Sequence, residues 1–238
     1  MQPALTIVPA PPAIAEAVES FWYAVPHHTA HVDYVISDAR FHLYVDLRTG
    51  CAAISGLRSR YAEVHEGPSS PMMGAVLRPA AARALIAAPA AELLDRSIPL
   101  RIDTGDTLPQ LAAALRRALR PFTPHPAVQY ALSELRRAPR IQRVDGIARD
   151  YGLSRRRLAQ LFQEQVGMPP KRYCRLLRFR EVVRCAASGA PIEWAGVALD
   201  SGYCDQPHLT REFREFSGLS PAAWLAAEHP FPNHVRVA

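Results

Sequence analysis

Apolar residues in the first part of the chain come in short runs separated by turn-forming residues, and later ones recur at helical spacing. The runs at 31–36, 41–47, 52–55, 61–65 and 73–77 are rich in β-branched and aromatic residues. Pairs such as Ser37-Asp38 and Thr49-Gly50 interrupt them, which predicts strands. A proline-bearing arm (Pro9, Pro11, Pro12) precedes a short helix expected over 13–23. The alanine-rich stretch 80–88 and residues 90–96 read as further helices. Strands first and helices after them predict an α+β N-terminal domain, a small antiparallel sheet or barrel with helices.

Beyond it the period is helical. Leu108, Leu111, Leu115 and Leu119 define a helix at 107–120, and Val128, Leu132 and Leu135 another at 127–138. Between them Pro121, Pro124 and Pro126 interrupt regular structure. The expected division is a ligand-sensing or dimerisation domain at 1–120, a linker region with a helix at 121–140, and an all-α domain at 141–238.

The all-α part carries an internal repeat. Ala148 and Gly152 recur 50 residues later as Ala198 and Gly202. Leu158, Phe162, Gly167, Pro170 and Tyr173 recur 51 residues later as Leu209, Phe213, Gly218, Pro221 and Trp224. Each copy reads as a short helix, a glycine turn, and a second helix opened by an N-cap, Ser154 in one and Asp205 in the other. Two helix-turn-helix units are therefore predicted. The connecting helix at 171–187 is about 25 Å long at 1.5 Å per residue, against the ~34 Å between successive major grooves on one face of duplex DNA.

Charge adds to this picture. Residues 1–120 hold 11 basic and 11 acidic side chains, and residues 121–238 hold 17 and 11, so the whole surplus of +6 lies in the half with the repeat. Only Lys171 among those 17 is a lysine. Arginine offers a planar fork of donors suited to phosphates and guanine edges. Arg155, Arg156 and Arg157 crowd the first turn of a helix, where the macrodipole disfavours cations by about 0.3–1 kcal/mol each when exposed, and a nearby phosphate backbone reverses that sign. Gln160, Gln163, Gln206, Thr210, Arg211 and Arg214 fall on outward positions of the second helix of each unit, with Lys171 and Arg172 at the start of the connecting helix. Glutamine matches adenine and arginine guanine. Ser154, Arg155, Arg156, Arg157, Gln160, Gln163, Lys171, Arg172, Asp205, Gln206, Thr210, Arg211 and Arg214 thus form the candidate DNA-binding set, with double-stranded DNA as partner.

These residues also carry a resemblance. LSRRRLAQLF (153–162), GMPPKRY (167–173) with Arg178, and VALDSGYCDQ (197–206) with Leu209, Arg211, Phe213, Arg214, Phe216 and GLSP (218–221) resemble the DNA-binding domain of the AraC/XylS family of bacterial transcription regulators. The resemblance spans about residues 141–227. It implies base-edge contacts at Arg156, Ala159 and Gln160 in the first unit and at Gln206, Pro207, Thr210 and Arg211 in the second. It also implies a cytoplasmic activator, with RNA polymerase and a small-molecule effector among its partners, working as a monomer or homodimer. Phe21-Trp22, GAVLRP (74–79) and DRSIPL (95–100) are similar to one variety of that family.

Other readings have less support in the residues. His27, His28, His31, His42 and His65 lack the tight spacing of metal ligands, and no metal or cofactor is expected. Cys51, Cys174, Cys185 and Cys204 form no CxxC pair, which speaks against a disulfide scaffold or zinc ribbon and for a reducing compartment. Neither a secretory leader nor the ~18 apolar residues of a membrane span is recognisable. An enzyme joined to a DNA-binding tail would need a reactive exposed cysteine, and nucleophile-elbow, phosphate-loop and dinucleotide motifs do not occur.

Overall fold

The computed structural model describes residues 4–25, 32–65, 70–139, 144–188, 191–230 and 233–237. Strands β1 (Ala4–Pro9), β2 (Val18–Val25), β4 (Phe41–Asp46), β5 (Ala52–Ser55), β7 (Met72–Leu77) and β8 (Ser97–Leu100) form an antiparallel sheet in the order β1-β2-β7-β4-β5-β8. Strand β3 (Val32–Val35) pairs antiparallel with both β6 (Ala62–His65) and β9 (His234–Val237) in a second sheet, order β6-β3-β9.

Alternation along each strand sorts the residues. One register row runs Phe21, Ala75, Leu43 and Ile54, each no more than 1% exposed, and this face packs inward. The neighbouring row, Ile7, Trp22, Gly74, Tyr44 and Ala53, faces outward. A Cβ at Gly74 would stand 2.4 Å from the Trp22 ring and 2.3 Å from the Leu43 carbonyl oxygen, so glycine lets the indole lie on the sheet. That accounts for Trp22 and Gly74 in the motifs of this half. Arg78 Nε donates to the Ala15 carbonyl at 2.8 Å, and Asp95 accepts from Ser59 N at 2.6 Å and Ser59 Oγ at 2.7 Å.

Three expectations are corrected in this domain. The helix expected at 13–23 is one 3₁₀ turn, Pro12–Ile14, followed by strand β2. The aromatic run from Phe21 to Tyr23 gains more by pairing between β1 and β7 than its alanine-rich start gains as a helix. The two alanine-rich helices are single 3₁₀ turns, Ala81–Ala84 and Ala90–Leu93. Pro79 and Pro89 cut the stretch, and Ala82, Ala84 and Ala90 are buried against neighbouring elements. Strands β1, β8 and β9 have no counterpart among the expected elements.

Helix α1 (Leu108–Ala118) begins in a capping box of Thr107 and Gln110 and packs against β2 and β7. The helices that follow are α2 (Pro126–Arg137), α3 (Val144–Asp150), α4 (Arg155–Val166), α5 (Pro170–Ala186), α6 (Trp194–Asp200), α7 (Gln206–Ser217) and α8 (Pro221–Ala226). Helix α2 lies against α3, α4 and α5. Helix α5 is central: Tyr173, Leu176, Phe179 and Val182 are fully buried along it. Its Tyr173 meets Phe162 of the first unit with ring centroids 5.5 Å apart, and its Phe179 meets Phe213 and Phe216 of the second at 5.1 and 5.2 Å. No helix among the described residues is long and apolar enough to cross a membrane.

Candidate nucleic-acid interface

The repeat is duplicated down to single hydrogen bonds. In the first turn Leu153 N donates to Ala148 O at 2.8 Å and Gly152 N to Arg149 O at 3.0 Å. In the second, Tyr203 N donates to Ala198 O at 2.9 Å and Gly202 N to Leu199 O at 3.0 Å. Gly152 and Gly202 take the left-handed conformation (φ 63° and 79°) that lets the chain leave one helix and start the next. Ser154 Oγ accepts from Arg157 N at 3.1 Å, and Asp205 Oδ1 from His208 N at 2.7 Å. Gly167 and Gly218 close α4 and α7.

Burial then selects the outward faces. On α4, Leu158, Leu161, Phe162, Gln165 and Val166 are buried, and Arg156, Gln160 and Gln163 form an exposed strip with Arg155 and Arg157 beside it. On α7, Leu209, Glu212, Phe213, Phe216 and Ser217 are buried. Pro207, Arg211 and Arg214, the residues 51 positions on from that strip, are exposed, with Gln206 near them and Thr210 half-buried at the margin. Arg155 Nε lies 2.9 Å from Asp145 Oδ1, which offsets one of the three cations at the start of α4.

Lys171 is exposed on the first turn of α5, whereas Arg172 is committed elsewhere. Its Nη2 donates to the Ser59 carbonyl at 2.9 Å and to Glu215 Oε1 at 3.2 Å, tying α5 to the N-terminal domain and to α7.

An ionic bracket that the sequence analysis did not identify joins α5 and α7. Arg178, 6% exposed, donates through Nη1 to the Gly202 carbonyl at 3.1 Å and through Nη2 to both oxygens of Glu212 at 3.3 Å; its guanidinium lies 4.8 Å from the Tyr203 ring centroid. Arg175 Nε donates to Glu212 at 2.6 Å and its Nη2 to Glu215. Burial opposes the charge on Arg175, but these two carboxylates raise its pKa above the usual value. Burial and Glu212 push the Tyr203 phenol up, keeping it neutral. The bracket borders a cleft of about 710 Å³ lined by Arg175, Arg178, Cys204, His208, Arg211 and Glu215 among others. The signal available in sequence was two carboxylates three apart on α7 and two arginines three apart on α5, but their pairing spans 34 to 40 positions.

A second polar cluster lies where α5 meets the N-terminal domain. Arg40 grips Glu19 with two bonds of 2.8 Å, and Asp38 Oδ1 lies 3.0 Å from His42 Nε2. Burial works to raise the Asp38 pKa, but His42, Arg180 on α5 and Arg40 outweigh it and hold the carboxyl well below its usual range. Among the described residues no group of three or more histidine, cysteine or carboxylate side chains is placed to hold a metal. His27, His28, His31 and the His65 side chain lie outside the described residues. Cys51 and Cys204 are exposed and Cys174 is buried; burial raises the Cys174 pKa.

Residues 147–227 match a family of helix-turn-helix domains, and residues 6–99 match a domain of unknown function (DUF6597). A comparison with curated proteins returns no match. Similar solved structures include an AraC-type transcriptional regulator from Chromobacterium violaceum (24% identity, 42% of this chain and 90% of that one, TM-score 0.39). The C-terminal domain of AraT, a response regulator from Geobacillus stearothermophilus, is 17% identical over 44% of this chain and 88% of that one (TM-score 0.39). ToxT from Vibrio cholerae is 9% identical over 94% and 97% of the two chains (TM-score 0.46). With the duplicated unit, its signature residues and the helix-turn-helix match together, residues 147–227 form a DNA-binding domain of the AraC/XylS type.

Proposed function

We propose that α4 and α7 enter neighbouring major grooves of one operator and read it as two half-sites. The observation that carries this is the matched pair of exposed strips, Arg156, Gln160 and Gln163 on α4 and Pro207, Arg211 and Arg214 on α7. Arg156, Gln160, Gln206, Thr210 and Arg211 read base edges; Arg155, Arg157, Gln163, Lys171 and Arg214 hold phosphates, and Ser154 and Asp205 fix the helix starts. Pro207 and Ala159 offer bases only apolar contact. Arg172 contributes by holding α5 in place.

If about six phosphates are neutralised, the logarithm of affinity falls against that of salt concentration with a slope near −5. Arg211→Ala lowers affinity by about 1–3 kcal/mol and relaxes preference at one base pair. Binding selection from random DNA, repeated with the variant across a salt series, measures both. A slope near zero removes the phosphate contacts, and an equal loss on all sequences assigns Arg211 to the DNA backbone instead of a base.

In this reading the N-terminal domain controls the DNA-binding half, and the protein acts in the cytoplasm as an activator that contacts RNA polymerase. A small-molecule effector acts by packing that domain differently against α4 and α7. A second reading, homodimerisation, has its own support in the edge strand β1, which carries no charged residue and has Ile7 58% exposed. The opposite edge, β8, is short, contains Pro99 and is flanked by the exposed Arg96 and Arg101. Ile7→Lys converts a dimer to a monomer by light scattering if β1 pairs with itself; an unchanged mass sets this reading aside.

A further inference from the structure

Both reading helices end on the N-terminal domain at the same repeat position. Gly167 closes α4 at φ 98°, and a Cβ there would stand 3.0 Å from the Ala90 carbonyl oxygen and 3.5 Å from Leu57 Cδ1. Gly218 closes α7 at φ 77°, and a Cβ there would stand 2.6 Å from Tyr34 Cε2 and 2.9 Å from Tyr61 Cζ. The Tyr34 and Tyr61 rings lie together with centroids 4.5 Å apart. Each glycine serves both the left-handed helix end and the close approach.

One short segment borders both contact points, beside Ala90 at the first and Tyr34 at the second. Leu57 meets the end of α4, the Ser59 carbonyl holds Arg172 on α5 at 2.9 Å, and Tyr61 meets the end of α7. Residues 57 to 61 span at most about 14 Å even when fully extended. The segment is held in place. Asp95 binds Ser59 through two bonds of 2.6 and 2.7 Å, Arg58 N donates to Ser37 Oγ at 3.3 Å, and Leu57 is 1% exposed. Strand β9, which follows α8, returns to pair with β3 so that Val235 lies opposite Tyr34. The second unit is thereby fastened on both sides of its glycine.

We propose that residues 57–61, together with Tyr34, are a spacer that positions α4 relative to α7 and so sets the separation between the half-sites that the protein accepts. Two reading helices joined only by α5 can tilt about that helix. With both ends seated on one anchored segment they keep one relative position, and a duplex whose half-sites are one base pair nearer or further apart presents its second groove out of reach and out of phase. Tyr34, Tyr61 and Leu57 are positioning residues and touch no base. The inference rests on the two-groove reading proposed above.

The test is a binding selection on duplexes in which the two selected half-sites are separated by every spacing over one helical turn. It is run on the full-length protein, on Tyr61→Ala, on the double variant Tyr34→Ala/Tyr61→Ala and on Tyr61→Phe, with affinity for a duplex carrying one half-site measured in parallel. The wild type shows one preferred spacing. The alanine variants lose about tenfold of that preference while single half-site affinity stays unchanged, and Tyr61→Phe, which keeps the ring against Gly218, behaves as wild type. Circular dichroism establishes that each variant is folded; should the double variant not fold, Tyr61→Ala decides alone. An unchanged spacing optimum, an equal loss at all spacings, or a gain in affinity at the same spacing overturns the spacer. A wild type that selects only one half-site, with no preferred distance to a second, instead overturns the two-groove reading.

Discussion

Asp38 illustrates how one side chain ties the two halves of this regulator together. Its carboxylate sits at the seam between β4 and α5, where His42, Arg180 and Arg40 hold its pKa below that of an unfolded chain. A depressed carboxyl pKa contributes stability that is present above the unfolded value, about 3.9, and is lost as pH falls through the folded value. Asp38→Asn therefore flattens the acid limb of a stability–pH profile below about pH 4, measured by urea unfolding at a series of pH values; an acid limb as steep as wild type counts against this role. Arg178 makes a related point on the other side of α5. It and Glu212 are both buried and bonded to each other; without Arg178 the carboxylate keeps Arg175, but the Gly202 carbonyl and one side of Glu212 lose their donor, at a cost of about 1–3 kcal/mol. Arg178→Met is expected to lower the unfolding free energy by that amount, read from urea titrations, and an unchanged value contradicts it. The Arg178–Glu212 pair and the approach of Arg180 to Asp38 show in no local pattern, because ionic partners brought together across a fold leave no spacing in sequence.

Among the elements, the contrast between the two halves is instructive. The helices of the repeat fall close to where periodicity, caps and glycine turns put them: Ser154 and Asp205 open α4 and α7, and Gly152 and Gly202 turn the chain before them. Helix ends are decided by neighbours three or four residues away, which is why they can be read locally. Ser154→Ala and Asp205→Ala each remove one cap bond and should cost about 1 kcal/mol. Placed on the interface, they should also weaken the matching half-site more than the other in footprinting; equal protection of both half-sites would argue against that assignment. Strand β2 shows the opposite case. An alanine-rich start followed by aromatic residues is ambiguous by itself, and the sheet settles it by offering partners on both sides.

For the molecule as a whole, the decisive feature is that the chain closes on itself. Strand β9 pairs with β3 about 200 positions away in sequence, and Val235 in it is fully buried. Val235→Asp would place a charge in that contact and should release the second unit from the N-terminal domain. Limited proteolysis would then cut between α8 and β9 faster than in wild type, while the N-terminal sheet remains protected; an unaltered cleavage pattern would show that the strand contributes nothing to the docking.

What the residues determine on their own is the duplicated reading unit: its helices, turns, caps and exposed polar strips all follow from interactions within a few positions, and its charge surplus is a sum over side chains. What the tertiary structure decided is how the two units are held. The bracket between α5 and α7, the seat of Gly167 and Gly218 on Ala90, residues 57–61 and Tyr34, and the return of β9 all join residues far apart in sequence. Such contacts depend on complementary shape in three dimensions, and the order of residues along a single chain carries that information only after it has folded.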